Sequence, residues 1–204
     1  MRYGMAIDLK RCVGCNSCTL ACKISNGTPP NMFFSHVVIE EKGVYPNAQA
    51  YYTPVLCNHC ENAPCVSVCP TGASFTDDDG IVCISQDKCI GCRFCIASCP
   101  YEARTFIPTE VEGYFADKGL TPAEETMFER FERGVVYKCD FCKEIGKNDS
   151  EEGPACVHTC PGRARIFGDL DDLNSDISLL IANKQTYALG PEFATNPKVR
   201  YATR

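Results

Sequence analysis

No apolar run in the 204-residue chain approaches the roughly 20 residues needed to cross a bilayer. The longest near the C-terminus is Leu179-Leu180-Ile181-Ala182, with Ile177 before it. Direct membrane insertion is therefore not expected, and any membrane association is expected to come through a partner. The opening Met1-Arg2-Tyr3-Gly4-Met5 holds neither a long apolar stretch nor paired arginines, so the chain is not expected to carry an export signal of its own. Basic charge is also short. Twenty Lys and Arg against 26 Asp and Glu give a net charge of -6, which argues against nucleic acid as the main partner and leaves no polybasic stretch for anionic lipid. A glycine-rich dinucleotide fingerprint, a P-loop and a Ser-His-Asp set are all missing. Nothing in the sequence marks a place where a substrate bond is made or broken.

What the chain has in excess is cysteine, 17 residues of it, far beyond what core-building requires. A secreted disulfide framework is a poor match, because an odd count leaves one thiol over. Sixteen of the cysteines fall into four groups of four: Cys12, Cys15, Cys18, Cys22; Cys57, Cys60, Cys65, Cys69; Cys89, Cys92, Cys95, Cys99; and Cys139, Cys142, Cys156, Cys160. This is an internal repeat. Each group ends in Cys-x3-Cys, and three are followed by proline with alanine three residues on: Pro70 and Ala73, Pro100 and Ala103, Pro161 and Ala164. The first group has Lys23 in place of the proline.

The third group, Cys-x2-Cys-x2-Cys-x3-Cys-Pro, is the spacing that binds a cubane of four irons and four sulfides in bacterial ferredoxins. Three cysteines in one tight loop reach three corners of a cubane. In two-cluster ferredoxins the fourth cysteine ligates the neighbouring cluster, so the groups are expected to work in pairs. The fourth group, with residues 143–155 between Cys142 and Cys156, also fits a single tetrahedral zinc when taken alone, but its Cys-x3-Cys-Pro-x-x-Ala ending repeats that of its siblings. Four 4Fe-4S clusters are expected. Cys83 lies in the apolar segment Ile81-Val82-Cys83-Ile84, outside every group, and is read as a packing residue. His59 and His158 stand inside the second and fourth groups, where each could pack the loop or hydrogen-bond a sulfur; His36 lies apart. Lys88, Arg93, Lys138, Lys143 and Arg163 flank ligand positions, either as solvated charges or as cations that raise cluster potentials.

Short strands are expected at Met5–Asp8, Ser74–Thr76, Ile81–Ile84 and Ala164–Phe167, with Asp77-Asp78-Asp79-Gly80 as a hairpin turn. Segments Ser35–Glu40 and Tyr51–Thr53 read as an additional hairpin. A helix is expected from Thr121 as N-cap, through Pro122 and the capping-box Glu124, to a stop at Gly134, with Met127, Phe128 and Phe131 on one face for core or interface packing. After Phe167 the chain reads as a mostly loop-like tail that wraps or docks. The fold class is α+β.

The order of the four groups, Gly4-Met5-Ala6-Ile7-Asp8 before Cys12-Val13-Gly14-Cys15, Cys57-Asn58-His59-Cys60 with Ala63-Pro64-Cys65, and Gly168-Asp169-Leu170 together resemble the iron-sulfur subunits of the dimethyl sulfoxide reductase family. The resemblance spans nearly the whole chain. It implies an electron-transfer subunit that serves a molybdenum or tungsten bis-pterin (molybdopterin) catalytic subunit and exchanges electrons with a membrane anchor subunit or a soluble electron carrier. It also implies nested pairing, first group with fourth and second with third. Carried onto this sequence, one cluster takes Cys12, Cys15, Cys18 and Cys160, and its neighbour Cys139, Cys142, Cys156 and Cys22. The inner two take Cys57, Cys60, Cys65 with Cys99, and Cys89, Cys92, Cys95 with Cys69. The implied layout is two nested ferredoxin-like units: an outer one of residues 1–34 plus 135–172, and an inner one of 57–110. A hairpin insertion at 35–56, a helical insertion at 111–134 and a docking tail at 173–204 complete it. Co-export to the periplasm with a signal-bearing partner and a cytoplasmic location both remain open. Two other readings compete: a free-standing polyferredoxin shuttle and a zinc-stabilised interaction module.

Overall fold

The computed structural model describes residues 1–115, 117–148, 150 and 152–203. Its elements are short, and the cysteine groups decide where they stop. Strand β1 (Tyr3–Asp8), entirely buried, leads into the first group, whose last two cysteines ride on α1 (Ser17–Asn26). Helices α2 (Pro64–Ser67), α3 (Phe94–Ala97) and α5 (Ala155–His158) carry the third cysteine of the other groups, and each is a single turn of four residues. The difference follows from one position. Pro70, Pro100 and Pro161 follow the fourth cysteine, and proline disfavours the helical conformation in the residue before it and cannot donate a helix bond. Lys23 has no such restriction, so α1 runs on to Asn26. The Lys23 ammonium then donates to the carbonyls of Pro29 and Met32, at 2.8 Å each, and fixes the loop that follows.

Strands pair across the groups. β2 (Ser35–Lys42) and β3 (Gln49–Leu56) form a hairpin between the first and second groups. β4 (Ser74–Thr76) and β5 (Val82–Ile84) form another between the second and third. β6 (Arg104–Phe106), leaving the third group, pairs antiparallel with β7 (Val136–Lys138), which enters the fourth. β8 (Arg165–Asp169), leaving the fourth group, returns antiparallel to β1. Helix α1 packs on α5, and α2 on α3. The first group thus lies beside the fourth and the second beside the third.

Two expectations need correction. The segment after β8 is not mostly loop: it forms α6 (Asp176–Asn183), β9 (Thr186–Tyr187) and β10 (Val199–Ala202). Strand β10 runs parallel to β1 and completes a sheet in the order β8-β1-β10-β9. Val199, Tyr201 and Ala202 are fully buried, and apolar contact with Met5 and Ile7 in the core holds the segment there. The helix of the insertion, α4 (Pro122–Phe128), has the expected Thr121–Glu124 capping box but ends before Phe131 and Gly134. The chain turns because Phe131 packs edge-on against Tyr137, ring centroids 4.9 Å apart, while the Tyr137 hydroxyl accepts the Glu132 amide at 2.9 Å. Phe128 and Phe131 are core residues, whereas Met127 is partly exposed.

Candidate iron-sulfur centres

Each group begins with a Cys-x-x-Cys loop whose residue before the second cysteine has positive φ: Gly14 (69°), His59 (43°), Gly91 (68°) and Phe141 (57°). At Gly14 and Gly91 only glycine fits, since a Cβ would collide with the Tyr52 ring and with the Gly134 carbonyl. His59 and Phe141 hold the same strained conformation with side chains, and they stack on each other with centroids 3.8 Å apart. Both are fully buried, so the stack joins the second group's loop to the fourth's. Phe141 also meets Phe167 edge-on at 5.1 Å, and Phe167 stacks on Tyr3 at 5.1 Å.

The fold brings fifteen of the sixteen thiols close to others. Cys12, Cys15, Cys18 and Cys160 line one cavity, and Cys22, Cys139, Cys142 and Cys156 another. Cys60 lies within electrostatic reach of Cys57, Cys65 and Cys99, and Cys95 of Cys89 and Cys69. Cys92 is exposed at the end of this last loop. Burial pushes the Cys60 and Cys142 thiols up to about 11 and raises Cys22 and Cys139 further, so the free thiols would stay protonated. Binding to iron takes their protons.

The residues fit clusters better than single ions. A tetrahedral zinc takes four sulfurs at about 2.3 Å and leaves no acceptor for a neighbouring donor, whereas a cluster also presents sulfide. Three buried nitrogens beside the thiols have no hydrogen-bond partner: His59 Nε2, Arg104 Nη1 and Arg165 Nε. Burying a polar group unpaired costs on the order of 1–3 kcal/mol, so three together call for acceptors, and cluster sulfide is one. His59 Nδ1 accepts the Val82 amide at 3.1 Å, which assigns the proton to Nε2. Its burial beside Lys138, Lys198 and Arg104 holds the imidazole well below the usual histidine range, hence neutral. Two fourth cysteines receive backbone donors, Cys69 from Ser74, five residues on, at 3.4 Å, and Cys160 from Ala164, four residues on, at 3.2 Å.

The other candidates separate clearly. His36 and His158 are exposed. Lys88 and Arg163 are surface side chains, and Arg93 lies 3.7 Å over the Phe106 ring. Lys138 is buried and donates to the Cys139 carbonyl at 2.6 Å. Lys143 pairs with Asp77 at 2.5 Å and Asp79 at 3.2 Å, tying the fourth group to the β4–β5 turn. Cys83 sits in β5 with its Sγ 3.7 Å from Asp77 Oδ2, its thiol pushed up to about 11 by burial. Replacing it, Cys83→Ala, is expected to leave iron per chain unchanged; loss of about four irons would make it a ligand. Arg104 and Arg165 escape notice in the sequence, although each directly follows a Cys-Pro-x-x-Ala ending.

Comparisons with known proteins agree with these centres. Residues 9–73 and 48–112 each match a family described as the 4Fe-4S dicluster domain. These matches take in the groups in sequence order, first with second and second with third, whereas the fold sets the first beside the fourth. The chain is 39% identical over 226 residues to the arsenate respiratory reductase iron-sulfur subunit ArrB of Shewanella sp. strain ANA-3, covering 98% of this chain and 96% of that protein. It is 43% identical over 213 residues to a subunit of the selenate reductase of Mesobacillus selenatarsenatis, covering 100% and 72%. It is 38% identical over 205 residues to a subunit of the tetrathionate reductase of Salmonella typhimurium, covering 98% and 72%. The chain belongs to this family of iron-sulfur electron-transfer subunits of reductases, built on 4Fe-4S dicluster domains.

Proposed function

We propose that the chain binds four 4Fe-4S clusters and relays electrons along them for a molybdopterin-containing catalytic subunit. The ligand sets are Cys12, Cys15, Cys18 and Cys160; Cys22, Cys139, Cys142 and Cys156; Cys57, Cys60, Cys65 and Cys99; and Cys69, Cys89, Cys92 and Cys95. A cubane supplies one-electron oxidation and reduction. The chain's residues set who can exchange with it.

The observation that carries this reading is the gradient of burial. Cys22, Cys139, Cys142 and Cys156 are all buried, as are Cys57, Cys60 and Cys65, while Cys15 and Cys92 are exposed. Two protected sets between two open ones suit a wire with a contact at each end. The His59–Phe141 stack joins the loops of the protected sets, which supports the order Cys12 set, Cys22 set, Cys57 set, Cys69 set. Exposed apolar side chains lie close in sequence to both exposed cysteines: Val13 two residues before Cys15, and Ile90 and Phe94 two residues either side of Cys92. Apolar patches of this kind favour stable partners over brief encounters. One end would meet the catalytic subunit, and the other a membrane anchor subunit or soluble carrier. No helix among the described residues is long and apolar enough to cross a membrane.

Purification under anaerobic conditions tests the assignment. A large partner containing molybdenum or tungsten is expected to co-purify in a constant ratio to the iron of this chain. Recovery of the reducible chain alone, at every salt concentration tried, would contradict the subunit role and favour a free shuttle.

A further inference from the structure

Arg104 and Arg165 occupy matching positions in the two halves of the fold, at the first residue of β6 and of β8. They are 5% and 3% exposed, and among the described residues neither has a carboxylate ion-pair partner. An uncompensated cation in such a place is strongly unfavourable, so each needs a negative group nearby. Each guanidinium is steered by a buried serine, Arg104 Nη2 donating to Ser74 Oγ at 2.7 Å and Arg165 Nη2 to Ser35 Oγ at 2.8 Å.

What each faces is sulfur from two different sets. Arg104 donates to Cys65 Sγ at 2.9 Å and lies within electrostatic reach of Cys95. Arg165 Nη1 points at Met5 Sδ, 3.8 Å away, and the guanidinium lies within electrostatic reach of Cys156, Cys18 and Cys12. Cys65 and Cys95 belong to neighbouring sets of the second and third groups; Cys156 and Cys18 belong to neighbouring sets of the first and fourth. Each arginine also keeps one donor free, Nη1 of Arg104 and Nε of Arg165.

We propose that each arginine is a shared counter-ion, one for each pair of clusters, that hydrogen-bonds sulfur of both members and raises both of their reduction potentials together. The physics is direct. Reduction adds negative charge, a nearby cation stabilises the added charge, and hydrogen bonds to cluster sulfur act in the same direction. The planar fork of arginine presents its donors to two sulfurs in a fixed geometry, whereas the ammonium of lysine is a compact charge on a flexible stem. One cation between two sites shifts the two couples of a pair together and leaves the gap between them unchanged. This inference rests on the four-cluster assignment above.

The test is potentiometric titration of the iron-loaded protein followed by electron paramagnetic resonance, on the wild type, Arg104→Met, Arg165→Met and the corresponding lysine variants. The wild type must first show four couples; fewer would defeat the cluster assignment and not the role of the arginines. Arg104→Met is expected to lower two of the four potentials by at least tenfold in the reduction equilibrium, about 59 mV for a one-electron couple. Arg165→Met is expected to lower the other two. If the methionine variants do not assemble, the lysine variants carry the test: charge kept and the fork lost should give a smaller fall in the same two couples. Potentials that stay in place in iron-replete variants, or a fall confined to one couple, would overturn the proposal.

Discussion

Removing iron and sulfide from the protein with a chelator under anaerobic conditions is expected to unfold it. Nine cysteines are buried, and the apolar core is built partly from them, with Cys18, Cys22, Cys57, Cys139 and Cys156 packed among Met5, Ile7, Phe141 and Tyr201. The surrounding elements cannot persist alone. Three helices have four residues, and β4, β5, β6 and β7 have three each, below the length at which either structure holds without packing. The free energy of binding metal at such sites is folding free energy, of the order of 10 kcal/mol for a structural site. Stripping should therefore abolish the near-ultraviolet circular dichroism signal and open the whole chain to protease. Returning iron, sulfide and a thiol reductant should restore both. A stripped chain with an undiminished cooperative unfolding transition would show that the clusters are not structural.

The second large effect is expected at Tyr201. Its ring is fully buried between the central sheet and the β2–β3 hairpin, and its hydroxyl donates to the Pro54 carbonyl at 2.8 Å. Tyr201→Ala should destabilise the iron-loaded protein by about 3–5 kcal/mol, the range for deleting a large buried aromatic ring. Tyr201→Phe removes the hydrogen bond alone and should cost about 1 kcal/mol. Anaerobic urea unfolding followed by far-ultraviolet circular dichroism gives both values. An alanine variant within about 0.5 kcal/mol of the wild type would place β10 outside the core.

Tyr201 and the buried cysteines also differ in how far the sequence reveals them. Local signals carried well. Met5–Asp8, Ser74–Thr76 and Ala164–Phe167 lie within or largely overlap β1, β4 and β8, and Thr121 with Glu124 forms the capping box. Non-local pairing left no local trace. Strand β10 is four residues long, and what makes it a strand is β1, nearly two hundred positions earlier. β6 is only three residues long, Arg104–Phe106, and its partner β7 lies about thirty positions further on.

The site divides in the same way. Cysteine spacing states its chemistry openly, because three corners of a cubane demand three thiols in one loop. The supporting residues do not declare themselves by type. Arg104 and Arg165 were detectable only as the repeated arginine after Cys-Pro-x-x-Ala, while the flanking Lys88 and Arg163, equally basic, turn outward. His59 was visible as a residue inside its loop, but its strained φ, its stack on Phe141 and its unpaired Nε2 depend on a group about 80 positions away.

Quantifying iron and acid-labile sulfide per chain in anaerobically prepared protein tests the four-cluster account most directly. About sixteen of each is expected, four per cubane in four cubanes, with zinc at trace level. A ratio near eight, or zinc in place of iron, would contradict it.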